Sequence, residues 1–82
     1  MITLEDAERI LLEHYDYKVS IDSIDDVGHS YIIGVAYPDG RIRDRAPDAI
    51  EKQTGKLYTY NIAINIKEYQ KAIPIKIRGE FL

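Results

Sequence analysis

The segment Ala46-Pro47-Asp48-Ala49-Ile50-Glu51-Lys52-Gln53-Thr54-Gly55-Lys56-Leu57-Tyr58-Thr59-Tyr60 constrains the fold more than any other. It reads as strand, tight turn, strand. The turn falls at Gln53, Thr54 and Gly55, where glycine accepts the positive φ that such turns often need. Leu57, Thr59 and Asn61 alternate with Tyr58, Tyr60 and Ile62, the period of a pleated surface. A hairpin cannot bury its apolar face alone, so the rest of the chain must supply further strands or a covering helix.

The start of the chain supplies the helix. Thr3 is a good N-cap, and Asp6 stands in the acidic position of a capping box. Leu4, Ala7, Ile10, Leu11 and His14 follow at helical spacing, which predicts a helix from about Leu4 to Tyr15. Glu5, Glu8, Arg9 and Glu13 fall on its outer face. Tyr17, Val19 and Ile21 alternate with Lys18, Ser20 and Asp22 as in a half-buried strand, and Asp25-Asp26-Val27-Gly28 reads as the following turn. Tyr31–Tyr37 is apolar on both faces and suits a central strand. Gly34 within it predicts a bulge or a close backbone approach.

Pro38-Asp39-Gly40 ends that strand, and Arg41–Arg45 continues as a loop. Beyond the hairpin, Asn65 and Glu68 have capping-box spacing before a short helix, about Ile66 to Lys71. Ile73-Pro74-Ile75-Lys76-Ile77 alternates like an edge strand or extended tail, since proline is excluded from a central one. Helices and strands segregate rather than alternate. The expected class is α+β, in one domain: an antiparallel sheet of about four strands, an N-terminal helix on one face and a short C-terminal helix.

Residue chemistry gives little support for catalysis. The 82-residue chain has no cysteine, which removes thiol nucleophiles, disulfides and cysteine-ligated metal. A Ser-His-Asp set can be drawn from Ser23 or Ser30, His29 and Asp25 or Asp26, but crowding in one turn does not supply triad geometry. His14 fits the boundary of a buried helix face, and His29 fits a turn. Asp22, Asp25, Asp26 and His29 do not match an EF-hand loop, and a polar hairpin tip accounts for them more simply. The glycines are isolated and form no phosphate-cradling loop. Neither a metal nor a cofactor is expected, nor an enzyme.

Charge is unevenly distributed. Residues 1–26 carry eight acids against Arg9 and Lys18, a balance of −6, and residues 27–82 carry +3, for a net −3. Such asymmetry steers association with charged partners. Arg41, Arg43 and Arg45 form the only basic cluster, with Asp39, Asp44 and Asp48 close enough to neutralise much of it, so nucleic acid is not an expected partner. Seven tyrosines suit both strands and protein interfaces, and Tyr58 and Tyr60 share one face of the hairpin as candidates for exposure. The N-terminus lacks the basic start and apolar run of a signal peptide, and no apolar run approaches the roughly 20 residues that span a bilayer. A cytoplasmic protein without membrane contact is expected.

Three stretches resemble the immunity protein 35 family of bacterial polymorphic toxin systems. Met1-Ile2-Thr3 with Asp6-Ala7 is similar to that family's helix start. Ala46-Pro47 through Ile50-Glu51-Lys52-Gln53-Thr54-Gly55-Lys56-Leu57 is similar to its signature hairpin, and Ile66-Lys67-Glu68-Tyr69 to the short helix that follows. Together they span nearly the whole chain in the same order. The resemblance implies a protein that neutralises a cognate toxin by occlusion, without a cofactor. Two surfaces then compete: an acidic one (Glu5, Glu8, Glu13, Asp22, Asp25, Asp26) and one built from Arg41, Arg43, Arg45, Tyr58 and Tyr60. The alternative is a small regulatory or structural domain, monomer or homodimer, self-associating through the Ile73–Ile77 edge.

Overall fold

The first helix, α1 (Leu4–His14), begins at the expected capping box. In the computed structural model, which describes residues 1–41 and 46–76, Thr3 Oγ1 accepts from Asp6 N, and Asp6 Oδ2 accepts from Thr3 N, both at 3.1 Å. Two orphan amides of the first turn are thereby satisfied. Ala7 and Leu11, one turn apart, are fully buried. The helix closes at Tyr15, after which Asp16 and Tyr17 adopt left-handed φ values of 54° and 58°. This corrects the expectation that Tyr17 opens a strand. Tyr17 N donates to Leu12 O at 2.8 Å and Lys18 N to Tyr15 O at 3.0 Å, so these residues finish the helix terminus and reverse the chain.

Five strands follow: β1 (Ser20–Asp26), β2 (Ser30–Ala36), β3 (Asp48–Glu51), β4 (Leu57–Thr59) and β5 (Ile73–Lys76), with α2 (Ile66–Gln70) between the last two. The sheet is wholly antiparallel, in the order β4-β3-β2-β1-β5. The α+β class holds, and β5 raises the strand number from about four to five. Pro74 lies in β5, on an edge, where a missing N–H is tolerated. Arg43, Arg45 and Ile77 lie outside the described residues.

Asp25 and Asp26 belong to β1 rather than to the turn, opposite Ile32 and Tyr31. The turn is the shorter Val27-Gly28-His29, where Gly28 takes φ +103° and its N–H donates to Asp26 Oδ1 at 2.8 Å. The irregularity predicted at Gly34 falls on the facing strand. Ile21 pairs with Val35 and Ser23 with Gly34, leaving Asp22 as the extra residue of a bulge. The bulge sets which residues face inward. Ile21 and Ile24 are three apart and would point to opposite sides of a regular strand, yet both pack with α1.

The α1 side of the sheet holds the main core: Ala7, Leu11, Ile24, Ile33, Val35 and Ile50. The other side holds a smaller cluster of Ile32, Ala49 and Tyr60, with Tyr58, Ile62 and Tyr69 against it. The hairpin turn closes as expected, with Gly55 at φ +74° and its N–H donating to Glu51 O at 2.8 Å. The capping box expected at Asn65 and Glu68 does not form. Asn65 makes no side-chain cap; its Nδ2 donates to Asn61 O at 2.8 Å, and the Glu68 carboxylate turns toward the sheet. Among the described residues, no helix is long and apolar enough to cross a membrane.

Candidate functional site

The acids proposed as one surface are divided by the fold. Neighbouring residues of a strand point to opposite faces, so Asp25 and Asp26 cannot act together. Asp25 accepts the Tyr69 hydroxyl at 3.1 Å, beneath α2. Asp26, on the α1 side, accepts Lys52 Nζ at 2.8 and 2.9 Å and the Gly28 amide. Burial alone would raise the Asp26 pKa. The Lys52 and Gly28 bonds outweigh it and hold the carboxyl below its ordinary value. Lys52 Nζ also stands 4.8 Å from the centre of the Tyr31 ring, closing a half-buried cation site. Asp22 is half-buried at the bulge.

Glu5, Glu8 and Glu13 remain on the outer arc of α1. Glu5 and Glu13 are exposed and Glu8 is half-buried, with Arg9 among them. Arg9 reaches Asp6 at 3.0 Å and Glu13 at 3.8 Å. Bonds from the Thr3 amide and then from Arg9 hold Asp6 below its usual pKa. Asp16 and Tyr17 continue this surface past the end of the helix, both exposed.

The rival surface is also reduced. Tyr60 is buried at 2% exposure, which corrects the reading of it as a surface residue, and Tyr58 is half-buried. Arg41 is exposed; its Nε lies 2.6 Å from Asp39, and its guanidinium stacks 5.4 Å over Tyr37.

Tyr58 and Tyr60 instead belong to a hydrogen-bonded chain absent from the sequence reading. The Tyr58 hydroxyl donates to Ser30 Oγ at 2.7 Å, Ser30 Oγ lies 2.8 Å from His29 Nδ1, and His29 Nε2 lies 3.0 Å from Glu68 Oε2. Glu68 Oε1 accepts the Tyr60 hydroxyl at 2.7 Å. An ionised carboxylate only accepts, so Nε2 carries the imidazole proton toward Glu68 and Nδ1 accepts from Ser30. The Tyr60 bond, against burial and with help from His29, holds Glu68 below its ordinary pKa. Burial and then Glu68 push the Tyr60 phenol up to about 12.

Hydroxyl, imidazole and carboxylate in series are the parts of a nucleophilic relay. The local aspartates play no part in it: His29 takes its acid from Glu68, 39 residues away. Ser30, however, has no exposed surface and shares its oxygen with Tyr58, so a substrate carbonyl has no approach to it. An open cleft of about 390 Å³ runs past His29, between Met1, Gly28, Glu51, Lys52 and Gln53, without reaching Ser30. The chain of bonds therefore works as a fastening between β2, β4 and α2. Among the described residues, no group of three or more histidines and acids is placed to hold a metal ion. Comparison with protein-family models, with curated proteins and with solved structures finds no match to this chain.

Proposed function

We propose that this protein is a non-enzymatic binding module that neutralises a cognate bacterial toxin domain by covering it, using the outer arc of α1. The likeness of its helix start, hairpin and short helix to the immunity protein 35 family motivates the reading. The observation that carries the choice of surface is the fate of the acids. Asp25 and Asp26 are engaged inside the fold, whereas Glu5, Glu8 and Glu13 stand on a well-capped helix, continued by exposed Asp16 and Tyr17. A rigid acidic face with an aromatic at its border suits a basic protein surface, steering encounter and excluding other ligands. A cytoplasmic location and the absence of a cofactor go with this reading.

The test is affinity capture from the native cell lysate, with wild type and the Glu5→Lys, Glu8→Lys, Glu13→Lys triple variant as parallel baits. A stoichiometric partner with a basic, toxin-like catalytic domain, retained by wild type and lost by a folded triple variant, is the expected result. Equal retention by both baits would refute the α1 surface. The second reading, self-association, is favoured by one observation: Ile73 and Ile75 on edge strand β5 are 67% and 43% exposed. Light scattering that returns only monomer at millimolar concentration would exclude it.

A further inference from the structure

Helix α2 is fastened by polar bonds around a single half-buried ring, Tyr69, which packs on the Ile32, Ala49 and Tyr60 cluster. It has five residues, none buried, and no side-chain N-cap. A free helix of that length is not stable in water. Its hold on the rest of the fold includes two hydrogen bonds to Glu68, one from Tyr69 to Asp25, and the packing of the Tyr69 ring on the Ile32, Ala49 and Tyr60 cluster, with the Tyr60 and Tyr69 ring centres 6.1 Å apart. We propose that α2 is an acid-sensitive latch: protonation of Glu68 releases Ile66–Gln70 from the sheet while the α1 side of the fold stays closed, uncovering Ile32, Ala49 and Tyr60.

The argument rests on who faces Glu68. The β1–β2 turn brings His29, the segment after β4 brings Tyr60, and β4 brings Tyr58 behind Ser30. Strand β1 contributes Asp25, held by Tyr69, and β3 contributes Glu51, the register partner of Ser30 on the same face. Lys67 and Lys71 lie on or beside α2 itself and are exposed. Among the described residues, the carboxylate is bonded by a phenol and an imidazole and by no lysine or arginine. Both are donors. A protonated Glu68 turns one of its acceptor oxygens into a third donor, so one partner loses its bond and the other keeps a weaker one to a neutral acceptor. The core under α1 is apolar (Ala7, Leu11, Ile24, Ile33, Val35, Ile50) and makes no use of Glu68. Because Glu68 sits below its ordinary pKa in the closed state, closure is fully favoured above the open-chain carboxylate value and is lost as pH falls through the lower closed-state value.

The experiment is a pH titration of the full chain by amide NMR from about pH 7 to about pH 2. Amides of residues 66–70 are expected to move toward open-chain positions at a higher pH than those of residues 4–14. A single transition shared by both helices would overturn the proposal. In Glu68→Gln the separate α2 transition is expected to disappear; its survival at the same midpoint would show that Glu68 is not the sensor. Tyr60→Phe provides a milder check, since removing the strongest bond to the carboxylate should raise the α2 midpoint by at least about half a pH unit. An unmoved midpoint would likewise overturn the latch.

Discussion

Lys52→Met tests whether the Asp26 site is a structural fastening. Lys52 and Asp26 retain only 15% and 25% of their side-chain exposure, and two bonds of 2.8 and 2.9 Å join them. A hydrogen bond to a charged group contributes about 1.5–3 kcal/mol net, and the contact with the Tyr31 ring adds about 0.5–1 kcal/mol. Methionine keeps most of the apolar stem, so packing changes little. Asp26 keeps the Gly28 amide and some solvent, so its charge is not stranded. The expected loss is therefore about 2–4 kcal/mol. At about 0.05–0.15 kcal/mol per residue, a domain of this length holds about 4–12 kcal/mol in all, so the loss is readily measured.

Urea unfolding followed by circular dichroism measures that difference, and pH separates its parts. The folded Asp26 pKa lies below the ordinary 3.8. The pair's contribution is thus present above the unfolded value and disappears as pH falls through the folded one. The gap between wild type and Lys52→Met should shrink toward the ring contact alone near about pH 2. Added salt should change it little, because the pair is mostly shielded from solvent. A gap under about 0.5 kcal/mol at neutral pH, or one unchanged in acid, would refute the assignment.

Three further outcomes are expected. Thr3→Ala removes half of the capping box and should destabilise the fold by about 1 kcal/mol in the same urea assay. Gly55→Ala places a Cβ 3.3 Å from Ile10 Cδ1 at φ +74°, and should cost about 1–2 kcal/mol, whereas Gly55→Asn should cost less because asparagine tolerates that backbone region. The Tyr60 phenol, pushed up to about 12, stabilises the fold below the open-chain value near 10; that contribution is lost as pH rises toward 12. Absorbance titration of wild type should therefore show a late alkaline step that Tyr60→Phe lacks.

Features fixed by one or two neighbouring residues were legible in the sequence. The Thr3–Asp6 box, the Gly55 turn and the edge position of Pro74 each follow from a local steric or hydrogen-bonding requirement. What was not legible depends on contacts distant in sequence. Asn65 and Glu68 have the spacing of a cap, yet Glu68 meets two donors distant in the chain or fold, His29 of the β1–β2 turn and Tyr60 just after β4, and the local motif yields. Tyr17 fits an alternating strand pattern, but the end of α1 holds it, with Asp16, in the left-handed region. Simple alternation fails in β1 because one extra residue, Asp22, restores the parity of Ile21 and Ile24.

Strand alternation divides the acids that a charge count groups together. Eight acids in the first 26 residues suggest one negative face. Parity sends Asp25 under α2 and Asp26 under the hairpin, each to a donor supplied from far along the chain: Tyr69, 44 residues on, and Lys52, 26 residues on. Those two acids join layers of the fold. A surface built for a partner keeps charges unengaged until the partner arrives, and a helix whose own caps are satisfied can hold several in that condition. Glu5, Glu8 and Glu13 meet this requirement better than any acid of the sheet, with Arg9 holding only the last of them and only at 3.8 Å. Binding work should therefore begin at α1, and substitutions at Asp25 or Asp26 should be read as tests of stability.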